Sequence, residues 1–174
     1  MESKSAKSDS TLDYLRVPPH SIEAEQSVLG GLLLDNAAFD RVADIVTDED
    51  FYRFDHKLIW QHITRLIGLA RPADVVTVFE SLSVAGKQEE VGGLAYLNAL
   101  AHNTPSAANI RRYAEIVRER STLRKLVTVA DDISSAAFNP QGKEARQILD
   151  EAETRVFQIA QEGARGSQGF LEIQ

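Results

Sequence analysis

Residues 123–160 read LRKLVTVADDISSAAFNPQGKEARQILDEAETRVFQIA, and this stretch decides the fold class. The tight-turn sequence NPQG at 139–142 separates two segments in which apolar residues recur every three or four positions, the spacing of an amphipathic helix. The first segment carries Leu123, Leu126, Val127, Ala130 and Ile133. The second carries Ala145, Ile148, Leu149, Ala152, Val156, Ile159 and Ala160. The stretch therefore predicts a helical hairpin.

The helical pattern continues on the N-terminal side of this hairpin, and we see no convincing strand pattern anywhere in the chain. Ser21, Asn36 and Asp74 are predicted helix caps, Asn36 at the start of a helix over 37–46. Thr104-Pro105 is predicted to start a long helix, with a bend or break near 119–121 where the apolar phase is imperfect. Gly86 and Gly163 are predicted helix ends. The fold class is all-α: a compact multi-helix bundle followed by a helical hairpin, in the style of an orthogonal bundle.

Four segments follow from this pattern. Residues 1–16 are small and polar and are predicted to be a disordered tail, and residues 17–118 the globular bundle. Residues 119–162 form the hairpin, whose apolar faces must meet the bundle, a second copy or another protein, because two helices bury little core alone. Residues 163–174 begin a linker. Gly30-Gly31, inside the first helix, indicates close packing against a neighbouring helix, with a phosphate-binding loop as the alternative.

Composition excludes several classes of protein. The chain has 174 residues and a net charge of −7. It contains no cysteine, and this rules out disulfides, cysteine-ligated metals and a thiol nucleophile. The acidic balance argues against a protein that coats nucleic acid, since phosphate binding needs a basic face. No apolar run approaches the length that spans a bilayer, so no membrane partner is expected, and a cytoplasmic location is compatible with these features.

A search for chemistry finds no recognised catalytic motif. None of the four histidines has metal-site spacing, and His56 and His62 are predicted to be core-edge or surface residues. No phosphate-binding loop occurs, so the chain alone does not resemble an enzyme, although a helical enzyme with an unrecognised site stays open. The basic stretch from Arg111 to Lys125 is interleaved with glutamates, which favours a salt-bridged surface over a single-stranded nucleic-acid site.

Six strings in this order are similar to one family: PPHSIEAEQSVLG at 18–30, DFY at 50–52 followed by His56, PADVVT at 72–77, VGGLAYL at 91–97, TPSAANI at 104–110 and YAEIVRER at 113–120. Together they resemble the N-terminal domain of the bacterial replicative DNA helicase of the DnaB type. The resemblance covers about residues 17–165.

The resemblance implies a hexameric helicase whose ATP- and Mg-dependent motor follows this domain, so that the present chain needs no cofactor of its own. It implies a collar in which hairpins pair into dimers, and the dimers into a trimer, through residues such as Leu123, Leu126, Ala130, Ile148, Leu149, Ala152, Val156 and Ile159. It also implies contact with the C-terminal domain of primase at Tyr96, Val127 and Ile133, and makes a helicase loader a further candidate partner. Core or hairpin packing is the alternative role for those three residues. A free-standing helical adaptor is the alternative function.

Overall fold

The computed structural model describes residues 17–168, and side chains as far as residue 163. Its elements, in chain order, are α1 (Ile22–Leu34), a 3-10 helix (Asn36–Arg41), a 3-10 turn (Asp48–Asp50), α2 (Phe54–Gly68), α3 (Val75–Val84), α4 (Gly93–Asn103), α5 (Ile110–Phe138) and α6 (Ala145–Gln168). No strand occurs among the described residues, and the all-α prediction is confirmed. The predicted tail at 1–16 and the last part of the predicted linker, 169–174, lie outside the described residues.

Helix α1 is the centre of the bundle. Val28, Leu29 and Leu32 are fully buried, because α1 is surrounded by α2, α4 and the first half of α5. Aromatic residues fill the space beside it: Phe51 and Trp60 lie with their ring centroids 5.3 Å apart. A helix with this much buried surface on several sides is a core helix, which explains why its second half, residues 28–34, is apolar all the way round.

The paired glycines in α1 mark a close helix approach, as the sequence predicts. A Cβ atom built on Gly30 would lie 2.1 Å from Thr104 Oγ1 and 2.4 Å from the Leu100 carbonyl oxygen. One built on Gly31 would lie 3.0 Å from Ile110 Cδ1. The backbones of α1 and α4 therefore meet at a distance that only glycine allows. The phosphate-loop alternative fails, since both glycines are buried inside a helix.

Half of the caps and ends, those at Ser21, Asp74 and Gly86, fall where the sequence predicts them. The Ser21 hydroxyl accepts a hydrogen bond from Ala24 N, and the Asp74 carboxylate accepts one from Thr77 N. Gly86, with φ of +69°, follows the end of α3. These side-chain caps satisfy N–H groups that have no partner within the helix.

The prediction for Asn36 was wrong. Asp35 caps this segment by accepting from Ala37 N, and a 3-10 helix ends at Arg41 where a helix to residue 46 was expected. The Asn36 amide instead accepts from Ala73 N and donates to the Ala73 carbonyl. Asn36 thus ties the start of the short helix to the loop before α3, a contact between residues far apart in sequence.

Three predictions about α5 and α6 were also wrong. Helix α5 begins at Ile110, because the Thr104 hydroxyl donates back to Leu100 O and ends α4. The helix then runs to Phe138 as one element, with no break at 119–121. Gly163 does not end α6, which continues to Gln168. A helical glycine costs only about 1 kcal/mol, which neighbouring helical residues can offset.

Candidate functional site

Ion pairs connect α5 and α6 of the hairpin along the line where the two helices pack against each other, which we call the seam. Lys125 Nζ lies 2.7 Å from a Glu162 carboxylate oxygen, and Arg155 lies 2.6 Å from Asp132. Beside these pairs, and from there towards the turn at 139–142, the seam is apolar: Val129 is buried, and Ile133, Ile148, Ala152 and Ile159 are half-buried. The seam fixes the two helices to each other but uses only part of their apolar surface.

The remaining apolar surface is uncovered. Its exposed residues are Leu123, Leu126, Val127 and Ala130 on α5, and Leu149, Val156 and Ala160 on α6. Successive residues of an α-helix are rotated by about 100° around its axis. On both α5 and α6, the exposed apolar residues are therefore rotated roughly a quarter to a third of a turn away from the seam residues of the same helix, and in the same direction on both helices. In an antiparallel pair, equal senses place both sets on one side of the hairpin. We call this surface the hairpin face.

The hairpin face points away from the bundle. The α5 residues that pack into the bundle, Ala114, Val117 and Ser121 among them, are buried on the nearly opposite side of the helix. Of the predicted pairing residues, Leu123, Leu126, Ala130, Leu149 and Val156 thus lie on the hairpin face, whereas Ile148, Ala152 and Ile159 lie in the seam. An uncovered apolar surface beside an apolar seam is a feature of a protein–protein contact.

Sequence reasoning missed two exposed aromatic residues on this hairpin, Phe138 at the end of α5, with 90% of its surface accessible, and Phe157. Phe157, on α6, has 62% of its surface accessible. It directly follows Val156 and falls outside the regular apolar spacing of α6, so the helical pattern offered no reason to select it. Aromatic residues are common anchors in protein contacts.

The three predicted primase-contact residues are not gathered at one place. Val127 lies on the hairpin face with 46% of its surface exposed, and Ile133 is half-buried at the edge of the seam. Tyr96 belongs to α4 in the bundle. Its hydroxyl lies 2.6 Å from His56 Nε2 and accepts from Gln26 Nε2, and burial raises the pKa of that hydroxyl.

His56 lies in a buried polar network that the sequence did not predict. The residue is fully buried, so the expectation of a core-edge or surface position was wrong. Its Nδ1 lies 2.8 Å from the buried Glu25 carboxylate, which also accepts from Tyr52 N and Arg53 N. With the ring proton on Nδ1, Nε2 accepts from the Tyr96 hydroxyl and every member of the network is satisfied.

A second buried carboxylate, Asp50, joins the same loop to the hairpin. It accepts from the Ser121 hydroxyl at 2.8 Å and lies 3.5 Å from Arg118. Arg124 donates to the Asp50 carbonyl and to the Pro19 carbonyl, and burial lowers the pKa of its guanidinium. These bonds fix α5, and with it the hairpin face, in a set orientation on the bundle.

The basic stretch of α5 is paired with acidic groups, so the prediction of a salt-bridged surface is confirmed. Arg111 and Arg112 both lie within 4 Å of the Glu115 carboxylate. Further along, Lys125 is paired with Glu162. Among the residues that the structure describes, no cluster of side chains has the composition of a metal site. Within that same part of the chain, no helix is both long and apolar enough to cross a bilayer.

The comparisons with known proteins agree on one family. The model of the DnaB-like helicase N-terminal domain matches residues 17–119, more than half of the chain. The chain belongs to this family. It is 44% identical to the replicative DNA helicase DnaB of Haemophilus influenzae over 162 residues, which cover 93% of this chain and 35% of that protein. It is 40% identical to the corresponding protein of Geobacillus stearothermophilus over 152 residues. The chain thus spans about a third of the length of these curated relatives.

Two solved structures support this DnaB-type fold. The N-terminal domain of DnaB helicase from Mycobacterium tuberculosis matches with a TM-score of 0.78 and 36% identity, covering 82% of this chain and 99% of that one. A DnaB-like replicative helicase, whose structure addresses its interactions with primase, matches with a TM-score of 0.60 and 26% identity, covering 78% of this chain and 31% of that one. The chain therefore has the fold of a DnaB N-terminal domain.

Proposed function

We propose that this DnaB N-terminal domain forms the collar of a hexameric replicative helicase by pairing hairpins between copies. The observation that carries the proposal is the hairpin face, an apolar surface of two helices that its own bundle leaves uncovered. The same surface of a second copy can bury it, since most homo-oligomers use such self-complementary contacts. Three such dimers complete a hexameric ring.

The physical basis of this pairing is burial of apolar area. Leu126, Leu149 and Val156 each keep between 41% and 59% of their surface exposed in the single chain. Full burial of such a side chain is worth about 1.5–3 kcal/mol, so covering the exposed half contributes roughly 1 kcal/mol per residue on each copy. A carboxylate placed among these residues would lose its water on pairing without gaining a partner.

The oligomeric state of the 174-residue chain tests the pairing. We expect light scattering coupled to size exclusion to show a dimer or larger assembly whose mass depends on concentration. Leu126→Glu with Val156→Glu should give a monomer. The matched control is Val76→Glu, which places the same charge on α3, at a bundle residue with 69% of its surface exposed, and should leave the mass unchanged. A monomer in every sample, or an assembly indifferent to the hairpin variants, contradicts the pairing.

We also propose that the collar recruits primase by binding the C-terminal, helicase-binding domain of primase. Support comes from the solved DnaB-like helicase whose structure addresses interactions with primase. Val127 is the most accessible of the three candidate contacts, and Ile133 lies six residues further along the same helix, at the edge of the seam. Tyr96 commits its hydroxyl to His56 inside the bundle, so it contributes through its ring or by positioning its neighbours.

A calorimetric titration with the primase C-terminal domain tests recruitment. We expect heat of binding with the assembled chain and a weaker response with Val127→Asp, compared in samples whose mass shows the same state of assembly. Tyr96→Phe removes only the hydroxyl and should bind primase with unchanged affinity, because that hydroxyl faces inward. Absence of heat and of co-elution with the assembled chain contradicts recruitment.

The remaining activities fall to the larger protein. We propose that ATP and Mg bind a motor domain outside the present chain, that a helicase loader is a further partner, and that the assembly works in the cytoplasm on replicating DNA. The collar itself contributes assembly and docking. ATP turnover by the 174-residue chain alone would overturn this division of labour.

A further inference from the structure

A groove on the bundle, away from the hairpin residues, lies between the end of α2 and helix α3. It has a volume of about 510 Å³ and is lined by Arg65, Leu69, Arg71, Glu80, Ser81 and Val84 among others. The end of α2 shapes one wall. Ala70, at φ +56°, turns the chain so that Arg71 N donates to Leu66 O, which brings Arg71 back beside the helix end.

The rim of this groove is apolar and accessible. Val84, at the end of α3, has 86% of its surface exposed, and Leu69 has 55%. Neither residue contributes to the bundle core. Two large aliphatic side chains that line the same groove provide a place for one apolar side chain of a partner.

The charges in the groove favour a negatively charged partner. Arg65 and Arg71 are exposed, and neither forms an ion pair with a described residue, in contrast to Arg111 and Arg112. One carboxylate, Glu80, lines the groove with them, which leaves a local excess of positive charge in a chain of net charge −7. The planar guanidinium matches a carboxylate with two parallel hydrogen bonds.

We propose that this groove binds an acidic amphipathic segment of another protein. An apolar side chain of that segment lies between Leu69 and Val84, and its carboxylates pair with Arg65 and Arg71. A nucleic-acid backbone fits less well, because the groove combines an apolar rim with a carboxylate, whereas phosphate binding uses a continuous basic surface. The proposal concerns the bundle and is independent of hairpin pairing.

A designed peptide pair tests the groove with the 174-residue chain. The probe is a fluorescein-labelled 14-residue amphipathic helix with leucines on one face and aspartate or glutamate elsewhere, and its partner has lysine in place of every acid. Fluorescence anisotropy should show binding of the acidic peptide only. Arg71→Glu loses a charge pair and gains a repulsion, and Val84→Asp loses an apolar contact and gains a repulsion, so each should weaken binding by about tenfold.

Controls separate the other outcomes. Arg146→Glu reverses a charge on the hairpin and should leave peptide affinity unchanged. Binding that is equal for both peptides, or indifferent to both groove variants, overturns the proposal. Binding of a single-stranded oligonucleotide that depends on Arg71 would reassign the groove to nucleic acid. Binding that appears only after removal of residues 1–16 would make that segment the occupant and also overturn it.

Discussion

Replacing Gly30 with alanine adds a single methyl group at the point where α1 and α4 pack most closely, and so tests that close contact directly. The new Cβ atom would lie 2.1 Å from Thr104 Oγ1 and 2.4 Å from the Leu100 carbonyl oxygen. Ordinary carbon–oxygen contacts are about 3.3 Å or longer, so the overlap is on the order of 1 Å. The Leu100 oxygen belongs to the backbone of α4 and cannot rotate aside, so α1 and α4 have to move apart.

The expected cost follows from three effects. Overpacking a core costs about 1–3 kcal/mol, and this overlap belongs at the upper end. Displacing the Thr104 hydroxyl from Leu100 O removes a hydrogen bond worth about 1 kcal/mol. Alanine recovers about 1 kcal/mol of helix propensity. We therefore expect Gly30→Ala to lower the free energy of unfolding by about 3 kcal/mol.

Thermal unfolding followed by circular dichroism measures this loss, at one fixed concentration because association shifts the midpoint. For a chain of this size, 3 kcal/mol lowers the midpoint by about 6–12 °C. The control is Gly163→Ala in α6, where an added Cβ meets nothing within 4 Å. It should raise stability by up to about 1 kcal/mol. A Gly30→Ala variant as stable as the unmodified chain would refute the close approach of α1 and α4.

Three further predictions concern the polar groups. Glu25→Ala leaves the His56 Nδ1–H and the Tyr52 and Arg53 amides without their acceptor; at about 1–3 kcal/mol for each unsatisfied buried donor it should cost about 3 kcal/mol or more in chemical denaturation, an effect below about 1 kcal/mol being incompatible with the network. Tyr96→Phe removes one hydrogen bond but keeps the ring, and the same assay should show a loss of about 1 kcal/mol. Burial, and secondly the charge of Arg65, lowers the pKa of His62 below its usual 6.5, so the unfolded chain takes up this proton first as pH falls. His62→Gln should therefore lose less stability than the unmodified chain between pH 7.5 and 5.5, and parallel pH curves would contradict this.

The regular helices and the hairpin could be predicted because their signals are local. Ser21 and Asp74 cap helices with side chains that bond three residues ahead, and the apolar spacing of α5 and α6 shows on the sequence directly. The predictions for Asn36 and Thr104 were wrong because each side chain bonds to a partner outside the helix that it was expected to cap. Asn36 bonds Ala73, and Thr104 bonds backward to α4.

The polar interior could not be predicted for a related reason. Glu25 and His56 are 31 positions apart, and nothing in their own segments shows that they meet as a buried pair. In the hairpin, the apolar stripes were predicted only in part, because the buried seam residue Val129 lies outside the set chosen for α5. Their division between the seam and the hairpin face depends on how α5 sits on the bundle, which Ser121 and Asp50 fix through a contact between segments 71 positions apart.

Accessibility of the hairpin face in the assembled chain is the most direct measurement of the central claim. The chain has no cysteine, so Leu126→Cys provides a single thiol on that face, and Val76→Cys a single thiol on the bundle. Labelling rates with a maleimide are compared with the mass of the same samples across a concentration series. As the mass rises, labelling at position 126 should slow several-fold while labelling at position 76 stays constant. Equally fast labelling of both thiols in a sample that has assembled would contradict the account, because a surface other than the hairpin face would then hold the copies together.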